Sequence, residues 1–192
     1  MGLAVKEHYA RSVPRTRPAR SPVFSVAVFY TGLAVKPGGD LVYVACEDGV
    51  SVIRTADYSI AAVIPLNGAP SDILFSATGE TAYVTCPSSD SVVVLDTRDN
   101  NRIGQAAFGG LGLTSPKCPT TSSDGRSIYL IGGGDNFVGI VRRSDNYLIR
   151  LVRVGSISRP AEASVAIEHP TGNRAYVVTN RGVLVLRPSS LR

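Results

Sequence analysis

Few side chains in this 192-residue chain are of the kinds that catalyse reactions or ligate metals, and their spacing narrows what they can do. The three cysteines, Cys46, Cys86 and Cys118, include no CxxC pair, and their odd number does not suit a disulfide framework. Cys46 follows Tyr-Val-Ala and Cys86 follows Tyr-Val-Thr, so the two hold the same place in similar segments. Side chains so placed point in parallel, and the thiols are expected to be buried or half-buried rather than bridged or metal-bound. His8 and His169 are the only histidines, which excludes a histidine-rich metal site. Glu168 beside His169 is a pairing that acid–base chemistry can use. His169 precedes Pro170 at a reversal, however, and reads as an exposed turn residue. Neither GGLG (109–112) nor GGGD (132–135) leads into a helix or a Gly-Lys-Ser/Thr, so neither is a phosphate loop. No GxSxG serine, Cys/His pair or metal-binding carboxylate cluster can be assembled, and no catalytic residue, metal or cofactor is assigned.

The elements that must position these residues announce themselves by repetition. AYVTCPSSDSVVVLDT (82–97) holds two short β-type runs around Pro-Ser-Ser-Asp, and similar stretches stand at 42–55, 128–143 and 175–188. Their tyrosines, Tyr43, Tyr83, Tyr129 and Tyr176, are 40, 46 and 47 residues apart. A period in that range marks a solenoid, a propeller or an array, and the lack of any amphipathic helix removes the helical solenoids. Each unit reads as four strands separated by turns such as Pro-Gly-Gly-Asp, Thr-Gly-Glu and Ser-Asp-Gly-Arg, where glycine supplies the positive φ of a tight reversal. Asp96 is expected to close the turn that follows it through its own carboxylate. Tandem four-stranded meanders of this length are the signature of β-propeller blades.

The Tyr-Val-Thr strand, the Ser-Val-x-Val-Leu-Asp-Thr strand, the strand ending Ile-Pro-Leu and the Gly-x-x-Pro loop together resemble the YVTN-repeat β-propeller family. The resemblance spans about residues 31–188, is closest in the second unit and weakens in the third, where YLIGGG replaces the tyrosine strand's usual ending. It implies an all-β propeller with no substantial helix, in four antiparallel blades near 31–70, 71–116, 117–162 and 163–192. The fourth unit lacks its last strand, which the segment 22–29 is expected to supply. Rings in this family resemble assemblies of about seven blades, so three outcomes stand open: a compact four-bladed ring, a half-ring completed by a second copy, or part of a longer propeller.

In propellers ligands meet the face where the loops from each outermost strand to the next innermost strand converge. Those loops are 67–72, 109–117 and 155–163, and their ionisable residues Asp72, Lys117, Arg159 and Glu162 are the candidate ligand-binding set. Lys36 and Glu168 lie on innermost strands. The cluster Arg142, Arg143, Arg150 and Arg153 on the outer strands of the third unit is expected to form a solvated rim. The resemblance implies two kinds of function: a non-enzymatic scaffold that binds a protein or peptide, or a lactonase-like hydrolase or redox-associated propeller with a site on the channel face. The innermost strands are poor in converging Asp, Glu, Asn and His, which favours the scaffold. A truncated paralogue without independent activity is the third reading.

The net charge of +5 belongs mostly to one end of the chain. Residues 1–21 hold Lys6, Arg11, Arg15, Arg17 and Arg20 against Glu7 alone, while the remainder is nearly neutral. This Pro/Arg-rich arm is expected to be disordered, with nucleic acid or an anionic surface as its possible partner, and the domain 22–192 has no broad basic face. No run of 18 apolar residues is present, so no ordinary transmembrane helix is expected. The segment 22–35, preceded by RTRPARS, has the outline of an export signal, yet the repeat uses those residues as strands and no small-x-small cleavage site follows. A soluble protein is expected, in the cytoplasm in preference to the exported fraction.

Overall fold

The computed structural model describes residues 30–133, 136–156, 159–160, 163–172 and 174–186. The expected strand 22–29 and the basic arm lie outside these. Four antiparallel sheets follow one another along the chain. The first contains β1 (Tyr30–Val35), β2 (Leu41–Cys46), β3 (Gly49–Arg54) and β4 (Ile60–Pro65), paired in sequence order. The second contains β5 (Ile73–Phe75), β6 (Thr81–Cys86), β7 (Ser91–Asp96) and β8 (Asn101–Ala107). The third contains β9 (Pro116–Thr121), β10 (Ser127–Gly132), β11 (Phe137–Arg142) and β12 (Tyr147–Arg153). A two-residue pair, β13 (Gly155–Ser156) and β14 (Arg159–Pro160), precedes the fourth sheet. That sheet has three strands among the described residues: β15 (Ala163–Glu168), β16 (Ala175–Thr179) and β17 (Gly182–Leu186).

Strand propensity and turn chemistry set these boundaries. β-branched and aromatic residues fill the second and third strands of the second and third sheets, where both faces are covered. The turns carry left-handed residues at matching places: Tyr58, Asn100 and Asn146 all have φ near 60° between the third and fourth strands. Asp96 caps its turn as expected, accepting the Arg98 amide at 2.9 Å. The Pro87–Ser89 segment is a short 3-10 turn, with Asp90 left-handed after it.

Register makes the repeat explicit. Tyr43 lies opposite Ala34 and Val52, Tyr83 opposite Leu74 and Val94, Tyr129 opposite Thr120 and Ile140, and Tyr176 opposite Ile167 and Val185. In each four-stranded sheet the register shifts between the last two strands at the same step: Val52/Ile53, Val94/Leu95 and Ile140/Val141. A bulge there increases twist, which turns the outer strand away from the stack.

The core lies between the sheets. One apolar cluster joins Tyr43, Val50, Val52 and Ile64 of the first sheet to Phe75, Ala82, Val84, Val93 and Leu95 of the second. A second joins Tyr83, Val92 and Val94 to Ile128, Leu130 and Val141, with Phe108 and Leu113 from the connecting loop. A third joins Tyr129, Ile131, Val138 and Ile140 to Ala163, Ala166, Ala175, Val177 and Leu186. Four sheets thus share three such interfaces, and among the described residues no apolar cluster joins the fourth sheet back to the first. Close approach near the axis requires glycine at Gly32, where a Cβ would sit 2.3 Å from the Ser71 carbonyl of the next unit.

Candidate functional site

The loops between sheets and the turns between second and third strands meet at one end of the stack. The Ser88 amide donates to the Gly68 carbonyl at 3.3 Å, the Phe108 amide to the Asp90 carbonyl at 2.8 Å, and the Gly133 amide to the Thr114 carbonyl at 2.9 Å. Two carboxylates hold this end together. Asp90 accepts the Ser115 amide at 2.7 Å, across 25 residues of chain. Asp72 accepts the Ser71 hydroxyl at 2.7 Å and, from the next sheet, the Cys118 amide at 3.1 Å. Its own backbone is fixed by Thr85, whose hydroxyl oxygen accepts the Asp72 amide at 3.0 Å.

Of the four residues proposed from sequence, Asp72 and Lys117 stand on adjoining innermost strands or their entry, brought together by the Asp72–Cys118 bond. Arg159 lies in β14, opposite Ser156 of β13. Glu162 lies outside the described residues, as do the last two residues of GGGD. Cys118 is half-buried with a left-handed backbone, and burial, then the Asp72 charge, pushes its thiol pKa up. Cys46 and Cys86 are buried free thiols, as expected; desolvation raises Cys86 to about 11. Among the described residues no group of three or more His, Cys, Asp or Glu side chains is placed to hold a metal ion.

At the opposite end the repeated tyrosines tie each sheet to the next. The Tyr43 hydroxyl donates to Asn100 Oδ1 of the second sheet, and its ring meets Phe75 edge-on at 5.0 Å. Arg143 of the third sheet donates from Nε to the Tyr83 hydroxyl at 2.9 Å and lies 5.3 Å from that ring's centroid. The Tyr129 hydroxyl donates to Glu168 Oε1 of the fourth sheet at 3.1 Å, and the Ser123 amide donates to the other carboxylate oxygen. Burial, reinforced by neighbouring carboxylates, raises the Tyr43 pKa to about 12 and raises Tyr129 as well.

Glu168 is therefore an inter-sheet acceptor, and His169 beside it bonds Thr171 Oγ1 at 2.8 Å within its turn. The expected arginine rim is largely engaged: Arg143 with Tyr83, Arg142 with Asp145 at 3.0 Å, and Arg153 over Phe137 at 4.8 Å. Sequence reading missed Asp90, Asn100 and Arg143 as structural ties. Asp90 was marked only by its turn, and the reach of Arg143 to Tyr83 across 60 residues has no local signature.

No protein-family model and no curated protein sequence matches the chain. Solved structures do resemble it. Hydrazine synthase of Kuenenia stuttgartiensis aligns with a TM-score of 0.69 and 23% identity, covering 79% of this chain and 44% of that one. The β-propeller domain of Cps50 (Swd1) from Myceliophteria thermophila aligns with a TM-score of 0.69 and 12% identity, covering 82% of this chain and 53% of that one. A functionally unknown protein from Desulfotomaculum acetoxidans aligns with a TM-score of 0.65 and 16% identity, covering 82% and 51%. Identities this low speak for fold alone. The chain has a β-propeller fold of four successive blades, and it spans about half the length of these structures.

Proposed function

We propose that the chain is a YVTN-type propeller unit that acts as a binding scaffold for a protein or peptide, engaged at the loop face around Lys117 and the 109–115 loop. One observation carries the reading: the acidic side chains of that face, Asp72 and Asp90, are spent on backbone amides of neighbouring loops. Groups so committed stiffen a platform; they are poorly placed to transfer protons or to gather around an ion. The platform presents a half-buried Lys117 on the innermost strand β9, while the exposed Leu111 of the same connecting loop lies beside Tyr147–Leu151 of the outermost strand β12. A hydrolase or redox role, the competing idea, has no arrangement of described side chains in its favour.

Selection of peptides from a random display library on the immobilised chain tests this. Enriched peptides are expected to lose at least about tenfold in affinity against Lys117→Glu, a loss of roughly 1.4 kcal/mol. Peptides that bind this variant undiminished, or no enrichment, overturn it.

A further inference from the structure

The two ends of the blade series carry faces with the pattern of buried interfaces, yet both are exposed. On the third sheet the rows through Tyr129 and Ile140, and through Ile131 and Val138, pack on the fourth, and all four residues are at most 3% exposed. The fourth sheet repeats this face in the same register, with Ile167, Tyr176 and Val185 in one row and Val165, Val178 and Val183 in the other. There Ile167 is 56%, Val178 40%, Val183 61% and Val185 46% exposed.

The first sheet presents the complementary side. Phe75, Ala82, Val84 and Leu95 of the second sheet form the face that receives Tyr43, and all are buried. Their register equivalents on the first sheet are Val35, Val42, Val44 and Ile53, flanked by Leu33 and Val63. Leu33, Val35 and Val63 are 68%, 55% and 65% exposed, Val42, Val44 and Ile53 are half-buried, and Ser51, between Val44 and Val63, is a buried polar residue. Exposed apolar rows on a sheet face mark an interaction surface.

We infer that the partner at both faces is a second copy of this chain, with the fourth sheet of each copy packed on the first sheet of the other to close an eight-bladed ring. This identifies a partner for the proposed scaffold and rests on that reading only in treating the chain as a binding protein. The same sheet-to-sheet contact already occurs three times within the chain, so the faces match by repetition of one design. The contact is head-to-tail, and two equivalent junctions related by a two-fold axis close it. A face of three or four strands about 4.8 Å apart, with five or six residues at about 3.3 Å each, covers about 300 Å². Four such faces in two junctions bury about 1,200 Å², at the lower end of the size of a specific interface.

The expected contact follows from register. Tyr43 meets Phe75, and Tyr129 meets Glu168, at one equivalent position on the receiving sheet. On the first sheet that position is Val35. Tyr176 of one copy is therefore expected against Val35 of the other.

Light scattering after size exclusion of the full chain should give twice its 20.2 kDa mass at micromolar concentration. Val183→Asp/Val185→Asp and Leu33→Asp/Val35→Asp should each give monomer with an unchanged β-sheet circular dichroism spectrum. Mixing the two variants leaves one intact junction per pair and should restore part of the dimer, which neither variant forms alone. A chain with both Tyr176→Cys and Val35→Cys should form disulfide-linked dimers on mild oxidation, read on a non-reducing gel. A monomeric wild type at tens of micromolar, an open polymer, or a dimer indifferent to these substitutions overturns the inference. The monomeric variants should retain any peptide captured through Lys117. Loss of that capture from an intact dimer would fault the scaffold reading instead.

Discussion

Ile140 and Val185 occupy equivalent positions in consecutive sheets, opposite Tyr129 and Tyr176 respectively, but one is buried and the other nearly half exposed. Replacing each by alanine weighs the interface between sheets against an open face. Ile140→Ala removes three carbons from a site that is 1% exposed. At about 0.8 kcal/mol per buried carbon this is about 2.4 kcal/mol of transfer free energy. A cavity that relaxes only partly brings the loss to about 3–4 kcal/mol. Val185→Ala removes two carbons already about half in water and should cost about 0.8 kcal/mol. Urea denaturation followed by circular dichroism measures both losses, at a concentration low enough that the midpoint no longer depends on it. A ratio of about four is expected. Equal losses at that dilution would mean that the outer face of the fourth sheet is covered within the single chain, as in a closed four-bladed ring, and would refute the open series.

Gly32→Val places a Cβ against the Ser71 carbonyl at 2.3 Å and should lower the melting temperature by several degrees, through a loss of at least about 1–3 kcal/mol. A double-mutant cycle of Tyr83→Phe and Arg143→Ala should show a coupling of about 1 kcal/mol in the same denaturation assay, the worth of the hydroxyl's hydrogen bond, because phenylalanine keeps the ring beneath the guanidinium. Tyr43 and Tyr129 are held neutral in the fold, so their contribution to stability should be complete below about pH 10 and decline as pH rises toward and through about 12 for Tyr43. Denaturation midpoints between pH 8 and 11 test this, and Tyr43→Phe should flatten the decline; a midpoint that rises with pH contradicts it.

Local pattern was enough to reveal most of the architecture. The strands β6 and β10 occupy the runs TAYVTC and SIYLIG that alternation and turn residues delimit, because apolar periodicity and glycine turns act over a few residues. The ties between sheets were not legible. Tyr43 to Asn100, Tyr83 to Arg143 and Tyr129 to Glu168 use three different polar partners for one repeated tyrosine, drawn from two different turns or strand ends of the next unit. A repeat search finds the tyrosine and cannot find partners that do not repeat. Asp72 was picked out for its charge and position, but its engagement with the Cys118 amide depends on how two sheets approach, information held in no single segment.

That division between repeated and unrepeated features also bears on where the chain's specificity resides. The apolar rows are nearly interchangeable from sheet to sheet, so by themselves they would let one blade pack on any other in the series. The polar partners differ at each junction, and each buried hydroxyl would be left unsatisfied against the wrong neighbour. Asn100, Arg143 and Glu168 thus favour the correct order of sheets, while the valines and leucines supply the attraction common to every junction. The terminal junction differs in kind. Tyr176 faces outward with no hydrogen bond to its hydroxyl formed among the described residues, and Val35 stands at the receiving position, where Glu168 meets Tyr129. A hydroxyl at the margin of an apolar face can remain hydrated when a second face closes on it. A junction of that kind associates by area rather than by a fixed polar match, which makes it weaker and more concentration-dependent than the three that hold the chain together.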